Sequence, residues 1–311
     1  MRIAILGSGG VGGYFGGRLA AGGADVVFIT RGAHLAALRQ GGLRIESPHG
    51  HLHLPRVNAT DDPAAIGPVD VVFFTVKLYD TEAAIRMLPP LIGPTTLVVP
   101  FQNGVDSVDA LGRAIGREHV AGGTAYIAAV IAEPGFVRHT AMGRLIFGAL
   151  DGARSPLLER LLEACRKGGF DATLSSHIDV DIWAKFARLT VFSGMTAVTR
   201  CPIGPLLADP DLTAMMREAL SESIAVARAR GVPLPVNTFD EIEQATVALP
   251  PNARSSMLED LERGRPLELP WLSGAVVRIA AEAGIDAPIH RFIATVLKPH
   301  VNGAPAADRR P

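Results

Sequence analysis

Three features predict an α/β protein in which a doubly wound parallel sheet precedes an all-helical domain. Up to about residue 170, short apolar runs alternate with helical stretches; beyond it, apolar residues recur only at helical spacing. A glycine-rich turn also interrupts the chain directly after its first apolar run. Parallel strands covered on both faces read as near-continuous apolar runs, and the helices between them are the crossovers such a sheet requires.

The first run, Arg2–Leu6, breaks at Gly7-Ser8-Gly9-Gly10-Val11-Gly12 and resumes as a helix through Tyr14, Phe15 and Leu19. Strand, tight turn and helix start are the context in which GxGxxG binds a dinucleotide. Gly7 permits the turn, Gly9 lets backbone N–H groups approach a pyrophosphate, and Gly12 allows helix and strand to pack closely. Ser8, Gly10 and Val11 complete the turn at a helix N-terminus, whose unpaired donors and partial positive charge favour phosphate. These residues are the expected cofactor site of a Rossmann-type domain.

The second strand, Asp25–Ile29, leads into Thr30 and Arg31. A carboxylate at this point would select NAD through the ribose 2′-hydroxyl, whereas a cation suits the 2′-phosphate of NADP(H). Arg31 therefore favours NADP(H). Next, Leu43–Ile45 and His51–Leu54 flank Ser47-Pro48-His49-Gly50 and read as a hairpin. His49, His51 and His53 alternate there without a cysteine or acidic partner at ligand spacing, so no metal is expected. Val69–Thr75 and Thr96–Pro100 are the next strands. Lys77 and Asn103 follow them at the carboxyl edge, where ligands bind in such sheets. Further β-like runs cover His119–Ile131, which includes Ala129, and Phe136–Phe147.

The helical half begins near Ser176. Met216, Ala219, Leu220, Ile224 and Ala227 recur at helical spacing, and so do Leu272, Val276, Ile279 and Ala280. Arg230-Gly231-Val232-Pro233 and Ala283-Gly284-Ile285 are helix stops. The expected domains are 1–172 and 173–300, with an Ala/Pro/Asp/Arg-rich tail over 301–311 expected to be disordered.

At 311 residues the chain can bury two cores. Its net charge of -1 argues against nucleic acid or an anionic membrane as partner. No apolar run reaches membrane-spanning length, and the first residues read as a strand, not a signal peptide. Cys165 and Cys201 form no motif, which fits a reducing compartment; the cytoplasm is the expected location. No Gly-Xaa-Ser-Xaa-Gly elbow points to covalent hydrolysis.

Taken in order, the motifs resemble the ketopantoate reductase (2-dehydropantoate 2-reductase) family. They are the N-terminal GxGxxG; Thr75-Val76-Lys77; Gln102-Asn103-Gly104; Trp183-Ala184-Lys185-Phe186; Ser255-Ser256-Met257-Leu258-Glu259-Asp260; and Glu268 before Ser273-Gly274. The resemblance implies a helical domain like the C-terminal domain of 6-phosphogluconate dehydrogenase, and a cleft where NADPH reduces a 2-oxo acid. The implied reaction is 2-dehydropantoate to (R)-pantoate, in pantothenate biosynthesis. Lys185 matches the family's catalytic lysine, which donates the proton as hydride reaches the carbonyl. Asn103 matches an asparagine that contacts nicotinamide and substrate. Ser256, with Ser255 beside it, matches a serine near the substrate carboxylate. Glu268 matches a glutamate that holds the cofactor ribose and the lysine network, and Ala129 a backbone contact to NADP. A homodimer is a candidate assembly.

The pattern departs from the family where the substrate is read. Asparagines usual four and eight residues after the lysine are replaced by Leu189 and Ser193, on the same helix face. A third is replaced by Ile203, and a later aspartate and asparagine by Pro270 and Ser273. A pocket lined by Leu189 and Ile203 would leave a buried substrate hydroxyl unpaired, at a cost of roughly 1–3 kcal/mol. This points to a less polar branched 2-oxo acid, unless Ser193, Thr196 and Thr199 supply the missing hydrogen bonds. Two other readings are a non-catalytic NADPH sensor and a relative acting on a β-hydroxy acid.

Overall fold

The computed structural model describes residues 1–305. Two compact units divide the chain: Met1–Gln102 with Asp106–Asp181, and Asn103–Val105 with the chain from Ile182 onward. The division between Asp181 and Ile182 falls inside one continuous helix, Ile178–Thr199.

In the first unit the order is β1 (Arg2–Leu6), α1 (Gly10–Ala21), β2 (Asp25–Ile29), α2 (Gly32–Gly41), β3 (Leu43–Glu46), β4 (Leu52–Leu54), β5 (Asn58–Thr60) and β6 (Val71–Phe74). Then come α3 (Thr81–Ile85), β7 (Leu97–Pro100), α4 (Ser107–Ile115), β8 (Gly122–Glu133), β9 (Phe136–Gly148), α5 (Pro156–Lys167) and β10 (Asp171–Leu174). The first sheet has the order β5-β2-β1-β6-β7, and every pairing is parallel. The chain winds outward from β1 to β2 and β5, then returns to β6 on the other side. This reversal makes the carboxyl end of β1 the switch point, where open α/β sheets bind ligands.

Strand alternation separates two cores. Ile3, Ile5, Phe28 and Phe73 pack on one face with Tyr14, Phe15 and Leu19 of α1. Ala4, Leu6, Val27, Val72 and Phe74 pack on the other with Leu88, Leu91 and Leu111. Each large side chain so buried contributes about 1.5–3 kcal/mol.

The doubly wound parallel sheet stands as expected, and the structure adds a second sheet beside it in sequence. A second sheet, β10-β9-β3-β4 with β8 paired to β9, gathers the later β runs and the His-rich hairpin. Only Pro134 and Gly135 separate β8 from β9, and Gly135 has φ 76°. A two-residue connection can only make an antiparallel pair, so the two strands cannot both belong to an all-parallel sheet, and the second sheet is mixed: β9 runs parallel to β3 and β10 and antiparallel to β8. His53 Nε2 lies 3.4 Å from Gly41 O, and Ser47 N donates to His51 Nδ1 at 3.3 Å. Among the described residues, no three His, Cys, Asp or Glu side chains converge as metal ligands do. The short strands β5 and β10 were not expected; each is half polar, and pairing alone makes it a strand.

The helical unit contains α6 (Ile178–Thr199, shared with the first unit), α7 (Ile203–Ala208), α8 (Pro210–Ala229), α9 (Thr238–Val247), α10 (Ser256–Glu262), α11 (Ser273–Ala283) and α12 (Pro288–Leu297). Met216, Ala219, Leu220, Ile224 and Ala227 form the buried stripe of α8. Asp209 caps that helix by accepting from Asp211 N and Leu212 N, both at 2.9 Å. Gly284 closes α11 in the left-handed region. Among the described residues, no helix is long and apolar enough to cross a membrane.

The tail is shorter than expected. Leu267 N donates to Val301 O at 3.0 Å, and Asn302 bridges Pro266, so this backbone is tied down by pairing that composition does not reveal. The rest of the expected disordered tail, 306–311, lies outside the described residues.

At the centre of the helical unit sits His290, fully buried. Its Nε2 lies 2.8 Å from Ser223 Oγ and 3.0 Å from Ala219 O, and its Nδ1 lies 3.2 Å from Ser273 Oγ. Burial pushes its pKa down from 6.5 to about 4. In that window the unfolded chain binds a proton that the folded chain refuses, so stability falls as the pH drops from 6.5 toward 4. Holding the imidazole at about 4 instead of 6.5 corresponds to about 3 kcal/mol. Urea midpoints measured between pH 7 and pH 4 should therefore fall further for the wild type than for His290→Gln. Equal pH dependence in the two proteins would show that this imidazole is not held neutral.

Candidate active site

The glycine turn occupies the switch point. Gly7 has φ 97°, and a Cβ on it would lie 2.6 Å from Val76 N, so only glycine fits. A Cβ on Gly12 would lie 2.4 Å from Gly7 O, which is how closely helix and turn approach. Gly10 faces the carbonyl of Ala129 at 2.1 Å from its would-be Cβ, so the structure brings Ala129 to the turn. Gly9 differs, because nothing lies within 4 Å of its Cβ position. The first three residues of α1, Gly10, Val11 and Gly12, have N–H groups with no acceptor one turn earlier. An open cradle beside unmatched donors fits a pyrophosphate.

Ser8 has another duty. Its hydroxyl is buried and donates to Ile5 O and Ile29 O, both at 3.2 Å, while its N–H donates to Ile29 O at 3.3 Å. It holds the turn's shape, so its side chain is not free for a ligand. Thr75 does similar work unnoticed in the sequence, donating to Gly7 O at 2.8 Å.

Arg31, two residues past β2 and at the N-cap of α2, has its side chain 85% exposed, and a guanidinium nitrogen lies 3.7 Å from Asp80. So loose and solvated a pair leaves the cation able to turn to a phosphate. Lys77 is exposed just beyond β6. Gln102, taken in the sequence only as part of a motif, braces this edge. Its Nε2 donates to Val76 O at 2.8 Å and Thr81 Oγ1 at 2.9 Å, and its Oε1 accepts from Ser107 at 2.7 Å.

In the second unit, three of the expected residues form a chain of hydrogen bonds. Lys185 Nζ donates to Asn103 Oδ1 at 3.1 Å, and Asn103 Nδ2 donates to Glu268 Oε2 at 3.2 Å. Lys185 stands on α6, Asn103 on the Asn103–Val105 segment, and Glu268 just before a short 3-10 turn. Glu268 is buried, only 6% exposed. Burial pushes the lysine pKa down to about 8; the Glu268 carboxylate opposes this, and the Arg188 guanidinium adds to it. The result is a charged but acidic amine, as proton donation to a carbonyl oxygen requires.

The substrate candidates divide. Leu189 is half-buried and Ser193 fully buried on α6, and Ile203 is fully buried with its N–H bonded to Ala253 O at 3.0 Å. Among the described residues of this unit, Ser193 Oγ is the buried side-chain oxygen left without a partner. Thr196 and Thr199 have their hydroxyl hydrogens engaged, donating to Phe192 O at 2.6 Å and Met195 O at 2.7 Å, so toward a further partner they act as acceptors. Ser255 bonds Thr196 at 2.7 Å and caps α10 by accepting from Leu258 N at 3.0 Å, so its hydroxyl is structural and not a substrate contact. Ser256, beside it, is exposed. Ser273 is taken up by His290, as described above.

A Rossmann unit and a helical unit that carries an acidic, desolvated lysine fit the class of oxidoreductases. The chain belongs to the ketopantoate reductase PanE/ApbA family, whose N-terminal model matches residues 3–152 and whose C-terminal model matches residues 177–301. Among its relatives, the 2-dehydropantoate 2-reductase of Mesorhizobium japonicum is 32% identical, over 89% of this chain and 90% of that protein. YkpB of Bacillus subtilis, described as an uncharacterized oxidoreductase, is 31% identical over 93% of this chain and 95% of the other. The crystal structure of the PanE/ApbA family ketopantoate reductase from Ralstonia eutropha superposes with a TM-score of 0.88. It is 32% identical and covers 97% of this chain and 98% of its own.

Two glycine substitutions separate shape from ligand contact. Gly9→Ala should keep the wild-type Tm while weakening NADPH binding at least about tenfold, or 1.4 kcal/mol. Gly12→Ala should lower the Tm as well, since its methyl group meets the Gly7 carbonyl. Fluorescence titration of NADPH and a thermal melt check both, and unaltered NADPH binding by Gly9→Ala would move the nucleotide elsewhere.

Proposed function

We propose that this chain catalyses NADPH-dependent reduction of a 2-oxo acid to the 2-hydroxy acid, with 2-dehydropantoate to (R)-pantoate the reaction its family suggests. The Lys185–Asn103–Glu268 chain carries this reading, because a nucleotide-binding protein without chemistry has no use for an acidic, desolvated amine. When bound, NADPH supplies the hydride that goes to the carbonyl carbon. The Lys185 ammonium stabilises the negative charge growing on the oxygen and gives it a proton, leaving a neutral amine, a hydroxy acid and NADP⁺. Glu268 offsets part of the cost of burying that ammonium. By accepting from Asn103 Nδ2, it also turns Oδ1 toward the lysine and fixes the direction of the amine.

Around this centre, Gly9 to Gly12 and Ala129 would receive the pyrophosphate side of the cofactor. Arg31 would take the 2′-phosphate, and Lys77 a second phosphate contact. Ser193 and Ser256 are the hydroxyls left for the substrate. A second reading, a less polar branched 2-oxo acid, is favoured by Leu189 and Ile203, which offer no partner to a substrate hydroxyl.

Loss of NADPH absorbance on mixing with 2-oxo acids tests the reaction directly; tight NADPH binding with no turnover on any of them would leave only a sensor. Lys185→Ala should lower kcat about 10²–10⁴-fold while NADPH still binds. In the wild type, kcat/KM should fall as the pH rises through about 8, where the donor loses its proton. A profile flat through that region would remove the amine from the mechanism. Arg31→Glu should reverse the preference for NADPH over NADH, read as the ratio of the two kcat/KM values.

A further inference from the structure

We infer that His290 is a positioning residue for the reduction: through one directed chain of hydrogen bonds it ties the helix that carries Lys185 to the turn that carries Glu268, and so holds the two at the spacing their shared partner Asn103 requires. The inference rests on the reductase reading and adds to it a residue that acts only through others. His290 stands on α12, and its ring lies between the hydroxyls of Ser223 on α8 and Ser273 on α11, all three residues fully buried.

The hydrogens along this chain run one way. A carbonyl oxygen only accepts, so Nε2 carries the ring hydrogen and donates it to Ala219 O at 3.0 Å, with Ser223 Oγ at 2.8 Å sharing it. Ser223 keeps its own hydrogen for Thr190 Oγ1 at 3.3 Å, and Thr190 donates in turn to Phe186 O at 2.9 Å. Phe186 follows Lys185 directly on α6. On the other side of the ring Nδ1 is the acceptor, and Ser273 Oγ donates to it at 3.2 Å. A charged ring would put a second hydrogen on Nδ1, facing the one from Ser273. The chain therefore needs the neutral imidazole, and burial supplies it by pushing the pKa down to about 4. Glu222 of α8 leaves the ring alone, because it accepts from the backbone at Ile289 N, 2.8 Å away, and His290 N, 3.0 Å away.

From Ser273 the path to Glu268 has little slack. Glu268 begins the 3-10 turn Leu269–Trp271, in which Trp271 N donates to Glu268 O at 3.1 Å and Leu272 N to Leu269 O at 3.2 Å. Ser273 then opens α11, where a Cβ on Gly274 would lie 3.1 Å from Leu269 O. Helix α6 packs on the same point: a Cβ on Gly194 would lie 2.9 Å from Ile293 Cδ1 of α12 and 3.3 Å from Ser273 Oγ. Both ends of the Lys185–Asn103–Glu268 chain are thus anchored at one imidazole. The anchoring matters because the bonds of that chain, 3.1 and 3.2 Å, already stand at the long end of the hydrogen-bond range. A displacement of either element by a fraction of an ångström would break one of them.

The test compares wild type with His290→Leu, His290→Gln and Ser273→Ala at saturating NADPH, well below the Tm of each variant and with the 2-oxo acid that the wild type reduces fastest. His290→Leu should lower kcat about 10–100-fold, while KM and the NADPH dissociation constant stay within about twofold. Ser273→Ala should lower kcat as well. His290→Gln, whose amide can both donate and accept, should recover part of the loss. In a Glu268→Gln background, His290→Leu should cost no further kcat, because the two residues act as one unit. An unchanged kcat in His290→Leu, or the same fold loss with and without the Glu268 carboxylate, would overturn the inference and leave His290 a core residue only. If His290→Leu does not fold, Ser273→Ala gives the same two readings. Should no 2-oxo acid be turned over by the wild type, the reductase reading itself fails. The pH dependence of Lys185 acylation, followed by peptide mass spectrometry, then decides the clamp alone. A midpoint displaced from about 8 in Ser273→Ala supports it in either direction, since losing the carboxylate and admitting water act oppositely on the amine; an unmoved midpoint overturns it.

Discussion

One constraint organises the helical unit: an ammonium group taken out of water has to be kept charged enough to act and acidic enough to give up its proton. Burial alone would favour the neutral amine. The Glu268 carboxylate restores part of the charged form, and the Asn103 amide transmits direction between them, with one hydrogen bond on each side. Each member is itself positioned by backbone. Lys185 rides a long helix, Glu268 starts a 3-10 turn, and Asn103 precedes Gly104, whose φ of 85° turns the chain there. A buried network of this kind stabilises only when every partner is present, since one missing group leaves an uncompensated charge.

The nucleotide-binding unit solves the opposite problem, which is to leave donors unsatisfied where a ligand will use them. Gly7, Gly10 and Gly12 remove side chains so that strand, turn, helix and Ala129 can close on one another. Ser8 and Thr75 then lock the turn with hydroxyls that never leave the protein. What remains open is the space at Gly9 and the amides of the first turn of α1. Rigid surroundings and a free edge together make a preorganised anion site.

Much of this was legible along the chain. The strands β1 and β2 stand where their apolar runs end, and helices α8 and α11 stop at the glycines that the pattern marked. Signals of this sort are local, because a buried strand or a helix stripe must show its period whatever it packs against. The two-residue turn between β8 and β9 was equally local, yet its consequence was not. It forces an antiparallel pair, and so a second sheet, which a reading based on apolar alternation alone could not separate from the first. Strands β5 and β10 escaped for a related reason, being defined by a neighbour's backbone and not by their own residues.

For the site, the ordered set of motifs and the family resemblance it carries named Lys185, Asn103 and Glu268, each of which is ordinary in its own local context. What composition and order determine is which chemical groups exist and which secondary structure carries them. Tertiary structure decided how those groups are used. Ser8 and Ser255 turned out to be braces and Gln102 a strut, Ser193 was left with an unmatched hydroxyl, and Arg188 was found beside a cavity. The reason is physical. A hydroxyl or guanidinium has the same chemistry wherever it lies in a sequence, and only the neighbours brought to it by folding determine whether its hydrogen bonds are already made or still to be given.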